Sequence, residues 1–285
     1  MRVLRIILGI VLLVVFAGYC YLNFASSPTA AELSAPPVET AAPQEPAQEP
    51  EAPAETEPPV QEPVETAAEP TPEPAPEPAV DPESPAGRAA ALGLPAPPEI
   101  DATSWEYILA NDTHSIGEYA PPELETLEGQ KFDSRIVQAM KDMAADTRAQ
   151  GLSVYLSSGY RSYADQQYLY NRKKAQYPPE GKDSAGRWIV LPPGTSEHQT
   201  GLCCDITDRY YESKDRSLAN TSIYQYMSQH CQDFGFIVRY PADKEEITMV
   251  MYEPWHFRYV GVEAATYIME NGLCLEEFLQ LYGIQ

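Results

Sequence analysis

His198 and Asp205 stand seven residues apart in Ser196-Glu-His-Gln-Thr-Gly-Leu-Cys-Cys-Asp205, and Glu253 and His256 three apart in Glu253-Pro-Trp-His256. An imidazole and a carboxylate can share a borderline divalent ion such as Zn²⁺ when a third ligand completes the set, and His256 is where that ligand is best sought. Glu253 then stands beside the metal as an unligated carboxylate, available as a base. Two imidazoles, one ligating and one free carboxylate form the minimum set for a hydrolytic zinc centre. His198, Asp205 and His256 are therefore the candidate ligands and Glu253 the candidate general base. The bland reading, polar surface groups within about sixty residues of chain, competes for each residue taken singly. Their company favours chemistry. Gly201 suits a tight backbone passage, and Leu202 to Thr207 has the pattern of a short buried strand that aims Asp205 back at the histidine.

The elements that must hold these groups come from residues 99–285, long enough for one sizeable core. Tyr107 to Leu109 is expected to be a short strand. Asp133 has the chemistry of an N-cap, and Ile136, Met140, Met143 and Ala144 share one face of a helix ending near Gly151. Val154 to Ser157 is expected as a strand that delivers Arg161 into a turn, ahead of a helix from Tyr163 to Gln176. A helix from Ser222 to Asp233 and a strand from Phe236 to Tyr240 follow. Ile247 to Tyr252 is expected to be a strand whose end presents Glu253, with His256 to Val260 continuing the ladder. Val262 to Glu270 and Leu275 to Tyr282 form two closing helices. The fold class is α+β: a single compact domain with a small central antiparallel sheet flanked by helices. His114 is expected as a loop or pocket-rim residue rather than a ligand, and His230 as a helix-surface or satisfied core histidine, with nothing near it at a ligand spacing.

Ser196 to Leu202, Asp205, and Glu253-Pro-Trp-His-Phe-Arg-Tyr-Val-Gly261 closely resemble the VanY-type D-alanyl-D-alanine carboxypeptidases, zinc peptidases that trim peptidoglycan stem peptides. The resemblance covers Trp105 to Gly283 and includes Ser157-Ser-Gly-Tyr-Arg-Ser162 and Phe236 to Pro241. It implies a Zn²⁺ cofactor, a stem-peptide substrate ending in D-alanine, and either D,D or L,D cleavage. It also implies Arg161 as a catalytic and substrate-binding group, with Gln166 and Ser196 as further substrate contacts. Arginine suits that role because its fork donates two parallel hydrogen bonds. The chain departs from the family at Ile247 to Tyr252, where a glycine is common near Met249, and this bears on pocket shape.

Ahead of the domain, residues 1–25 carry Arg2 and Arg5 before an uncharged apolar run from Ile6 to Leu22. A signal anchor is expected, with a cleaved signal peptide as runner-up, and the positive-inside tendency is expected to leave the remainder outside the cytoplasm. The chain is then a single-pass protein of the cell membrane with an extracytoplasmic catalytic domain. Residues 26–98 hold about twenty of the 28 prolines, with much Glu, Ala, Thr and Gln. Such a segment cannot bury enough surface to order itself and is expected to be a disordered linker. At about 3.1 Å per residue it reaches roughly 200 Å when extended. Lys and Arg number 19 against 42 acidic residues, a formal net charge of −23, which argues against a nucleic-acid partner. A monomer is expected.

The five cysteines are too few for a disulfide scaffold. By strand alternation Cys203 shares a face with Asp205 and is placed to approach a metal as a soft ligand; the favoured reading is a small residue packed under the site, as the family has there. Two other function classes remain. A non-catalytic wall-binding module would keep the metal for folding, and a cysteine peptidase would use Cys203 or Cys204.

Overall fold

The computed structural model describes residues 81–177, 180–209 and 213–284. The expected membrane segment and most of the linker lie outside them. Among the described residues no helix is long and apolar enough to cross a membrane.

Helix α1 spans Pro85–Ala91, and a two-stranded hairpin pairs β1, Leu124–Leu127, with β2, Gln130–Asp133. Then come α2, Val137–Ala149; β3, Tyr155–Ser158; α3, Tyr163–Gln176; and β4, Cys203–Thr207. The remainder is α4, Ser222–His230; β5, Phe236–Val238; α5, Glu245–Thr248; β6, His256–Tyr259; α6, Val262–Glu270; and α7, Leu275–Leu281. Four strands form one antiparallel sheet in the order β3-β4-β6-β5. This is the expected α+β domain with a small antiparallel sheet among helices.

Side-chain alternation divides the sheet into a core face and a site face. Leu156, Cys204, Ile206, Phe236, Val238 and Phe257 bury one face against Met140 and Met143 of α2 and Met227 of α4. On the other face Cys203 pairs with Arg258 and Asp205 with His256 across β4 and β6. A second apolar cluster joins Ile237 and Val260 to α6 and α7 through Ala265, Ile268, Leu275 and Phe278.

Three expectations change. Tyr107 to Leu109 is no strand: Tyr107 closes the 3-10 turn Trp105–Tyr107, and residues 108–109 carry no regular structure. The carbonyls of Glu106 and Ile108 accept from Arg258 Nη2 at 2.8 and 2.9 Å, so a buried side chain takes the place of a strand partner. Ile247 to Tyr252 is no strand either. The helix α5 ends at Thr248, and Met249 follows in the left-handed region at φ 55°. That conformation is easy for glycine and strained for methionine, which accounts physically for a glycine in the family near this position. Residues 81–98, placed in the linker by composition, form ordered structure. Ala89 is fully buried in the second cluster, and Arg88 Nη1 donates to Leu281 O at 3.1 Å. Tyr267 and Tyr282 donate their hydroxyls to Pro95 O and Pro98 O at 2.7 and 2.6 Å. The hairpin β1–β2 is an addition, built on the two-residue turn Glu128-Gly129, both at positive φ.

Candidate metal centre and cleft

The site is assembled from two adjacent strands and one turn. Asp205 leaves β4 directly opposite His256 on β6, so the ladder sets their separation. His198 sits on the 3-10 turn Glu197–Thr200, which ends at Gly201 with φ 71°. A Cβ at Gly201 would lie 2.8 Å from Asp133 N, so glycine is required there for close approach as well as for conformation. The His198 carbonyl accepts from Arg161 N at 2.9 Å, which ties the turn to the loop after β3.

Hydrogen bonds on the outer edges of the imidazoles fix what faces inward. His198 Nδ1 lies 2.8 Å from Gly159 O. A carbonyl only accepts, so Nδ1 carries the proton and Nε2 presents a lone pair. His256 Nε2 lies 3.3 Å from Glu197 Oε2, which leaves Nδ1 as the inward lone pair. Glu197 is fully buried. Burial alone would raise its carboxyl, but the guanidiniums of Arg239 and Arg258, with His256 beside them, hold it well below the usual range. Arg239 Nε and Arg258 Nη1 donate to Glu197 Oε1 at 2.6 and 2.7 Å. Such outer partners set tautomer and ring orientation at metal-binding histidines.

Three donor atoms therefore converge. Asp205 Oδ1 lies 3.3 Å from His198 Nε2 and 3.2 Å from His256 Nδ1. It is buried and makes no hydrogen bond. An unpaired buried carboxylate oxygen facing two ring nitrogens is costly unless a positive charge joins them. Bonds of about 2.0–2.1 Å to a tetrahedral ion place neighbouring donors roughly 3.3–3.4 Å apart, close to the spacing seen. The electrostatics agree. Burial would lower His256, yet the surrounding negative groups, Cys203 first and then Asp205 and Glu197, raise it well above the ordinary imidazole range. Burial would raise Asp205, and His198 and Lys214 outweigh it. The cluster thus draws in positive charge, which protons or one divalent cation can supply. The donor set fits a cation such as zinc.

Glu253 is adjacent but apart. Its Oε2 lies 3.6 Å from His256 Nδ1, and burial, with the charge of Asp205, pushes its carboxyl up to about 7 against the pull of His256 and His198. It lines a cleft of about 480 Å³ together with His198, Asp205, His256, Arg161 and Ser196. Arg161 Nη1 donates to Gln166 Oε1 at 2.5 Å and Nη2 to Ser158 Oγ at 3.1 Å. Gln166 also lines the cleft, but both ends of its amide are engaged within the protein, since Nε2 donates to Leu191 O at 2.6 Å. The candidate metal ligands, Glu253 and the three substrate-side residues named from the sequence thus border one cavity, and Cys203 is not in its lining. His114 and His230 lie outside its lining.

Three groups went unassigned in the sequence. Glu197, with Arg239 and Arg258, carries no local pattern that marks it as a buried ion cluster. Lys214 Nζ donates to Asp205 Oδ2 at 2.7 Å from the polar excursion after β4. Cys203 Sγ, set aside as packing, lies with nitrogens of both histidines in a group whose donor atoms are all within 4.8 Å of one another.

A family model described as VanY, D-alanyl-D-alanine carboxypeptidase, matches residues 129–262. A D-alanyl-D-alanine carboxypeptidase of Enterococcus faecalis (strain ATCC 700802 / V583) is 41% identical over 186 residues, which is 63% of this chain and 67% of the relative. A variant of the vancomycin resistance D,D-pentapeptidase VanY, solved in complex with Zn(II), is 41% identical with a TM-score of 0.53, over 62% of this chain and 99% of that one. The LD-carboxypeptidase LdcB is 30% identical with a TM-score of 0.52, over 65% of this chain and 92% of that one. The convergent donors lie within the residues that the family model matches, and the chain, a peptidase, belongs to the VanY family of D-alanyl-D-alanine carboxypeptidases.

Proposed function

We propose that this peptidase removes the C-terminal D-alanine from peptidoglycan stem peptides at a zinc centre held by His198, Asp205 and His256. The observation that carries the reading is Asp205 Oδ1, buried without a donor between two inward-facing imidazole nitrogens. Support for the substrate comes from the relatives, which include VanYB in complex with D-Ala-D-Ala. When bound, the ion supplies Lewis acidity towards water and towards a peptide carbonyl.

The chain's own groups do the rest. Glu253 takes the proton of the attacking water at its carboxylate and returns it to the leaving nitrogen of D-alanine. Its raised pKa suits both halves of that shuttle near neutrality, and a cation nearby favours the ionised form from which it starts. Arg161 donates to the scissile carbonyl oxygen as negative charge develops there. Gln166 and Ser158 position its guanidinium, so Gln166 acts through Arg161. Ser196, on the cleft wall, contacts the peptide.

Glu253→Ala tests the catalytic core of this reading. Turnover on a pentapeptide (D,D) or a tetrapeptide (L,D) is expected to fall by about 10²–10⁴-fold, while zinc stoichiometry and melting temperature stay near wild type. Wild-type rates in the variant contradict the assignment. The same reading extends to the whole chain: an anchor in residues 1–25, a tether that reaches into the wall, an extracytoplasmic monomeric domain. Membrane fractionation with protease shaving tests that arrangement, and a domain recovered in the cytoplasmic fraction overturns it.

A further inference from the structure

Cys203 stands on the site face of β4, two residues before Asp205, and is fully buried. Its neighbours Cys204 and Ile206 supply the apolar face of the strand to the core, whereas Cys203 belongs to none of the apolar clusters among the described residues. Its Sγ instead joins His198 and His256 in a group whose donor atoms lie within 4.8 Å of one another. A second observation concerns a member of that group: Asp205 Oδ1, buried and without a hydrogen-bond partner, lies 3.2 Å from Nδ1 of His256.

We propose that Cys203 is a sulfur donor to the metal ion that His198 and His256 hold, so that the centre presents a thiolate beside two imidazoles and takes soft divalent cations such as cadmium, with borderline cobalt as a spectroscopic probe. The proposal rests on the metal site of the preceding section and adds this chain's own donor to it. On coordination the thiol proton is released to solvent, a sulfur–metal bond forms and one water leaves the ion; nothing is oxidised or reduced. Sulfur shifts preference towards softer ions than a nitrogen and oxygen set alone would hold. Catalytic zinc can expand to five-coordinate, so a sulfur donor is compatible with a position for the attacking water.

The test is spectroscopic. The full-length chain is stripped of metal and titrated with cadmium chloride or cobalt chloride, and thiolate-to-metal charge-transfer absorption is recorded for wild type, Cys203→Ala and Cys203→Ser. Wild type is expected to develop the band, saturating at one ion per chain, and both variants to lack it. The other four cysteines remain in the variants and control for stray thiol binding. Loss of an outer partner alone weakens metal binding by about tenfold to a hundredfold, so removal of a donor is expected to cost cadmium affinity at least tenfold. Cys203→Ser keeps the volume and serves where the alanine variant folds poorly. Wild type that loads metal without the band overturns the proposal, as does a band of equal strength in the variants. Failure to load metal overturns this proposal and the zinc centre together. Metal-loaded protein with the band but no D-alanine release overturns only the proposed reaction.

Discussion

His256 shows how much of this site is set by residues that never face the cleft. Its ring is turned by Glu197, and Glu197 is held ionised by Arg239 and Arg258, all buried on the site side of the sheet. A buried carboxylate with two guanidiniums is stable only as a complete set, since removing one member leaves a charge without its partner. Arg161 has a comparable support in Gln166 and Ser158, which hold its planar fork over the cleft. Lysine keeps the charge but cannot be held by both partners or donate in parallel. Arg161→Lys is therefore expected to lower kcat by about a hundredfold, the usual loss for one oxyanion donor, with zinc content unchanged. Steady-state kinetics with metal analysis checks it, and a variant that retains full kcat contradicts the role given to Arg161.

At the scale of elements, the ladder between β4 and β6 places Asp205 opposite His256, and strand alternation gives the opposite face to the core. That division was legible in the sequence, because Leu202 to Thr207 and His256 to Val260 alternate as strands do and the helix α2 follows its apolar period. Less legible was anything set by distant charges. Glu197, Arg239, Arg258 and Glu276 are far apart in the chain, and no local pattern announces that they meet. Ile247 to Tyr252 has strand composition, yet a short helix and a left-handed Met249 prevail. Trp188, backbone-paired with Val250, and the ion pairs of Glu245 with Arg187 and Arg216 fasten this segment.

Glu276, at the start of α7, gives this level a measurable consequence. Burial alone would raise its carboxyl, but Arg239 donates to it at 2.6 and 2.8 Å and lowers it below the usual range. A depressed folded-state pKa contributes stability that is fully present above the unfolded value of about 4.3 and is lost as the pH falls through the folded one. Urea unfolding is therefore expected to show wild type about 3 kcal/mol more stable than Glu276→Gln near pH 7, with the gap closing below about pH 4. A gap that is constant across the range contradicts the ion-pair account.

For the whole molecule, composition placed the start of the domain at residue 99, because Pro, Ala and Glu dominate up to that point. Composition reports what a segment cannot bury by itself; it is silent on a short stretch that docks onto a core built elsewhere. Ala89 fills part of the cluster around Ile268, Leu275 and Phe278, and Tyr267 and Tyr282 donate to carbonyls of the segment between α1 and Glu99. A chain that begins at Asp81 is thus expected to melt roughly 5–10 °C above one that begins at Glu99, from about 2–3 kcal/mol of lost burial and hydrogen bonding. Equal melting temperatures in calorimetry contradict this. The central claim, that one ion among His198, Asp205 and His256 works with Glu253 to cleave a terminal D-alanine, is tested most directly by mass spectrometry of defined pentapeptide and tetrapeptide muropeptides incubated with the zinc-loaded chain. The account predicts that at least one of them loses a single C-terminal alanine, and that the loss stops on chelation; both peptides returning unchanged from metal-loaded enzyme would contradict it.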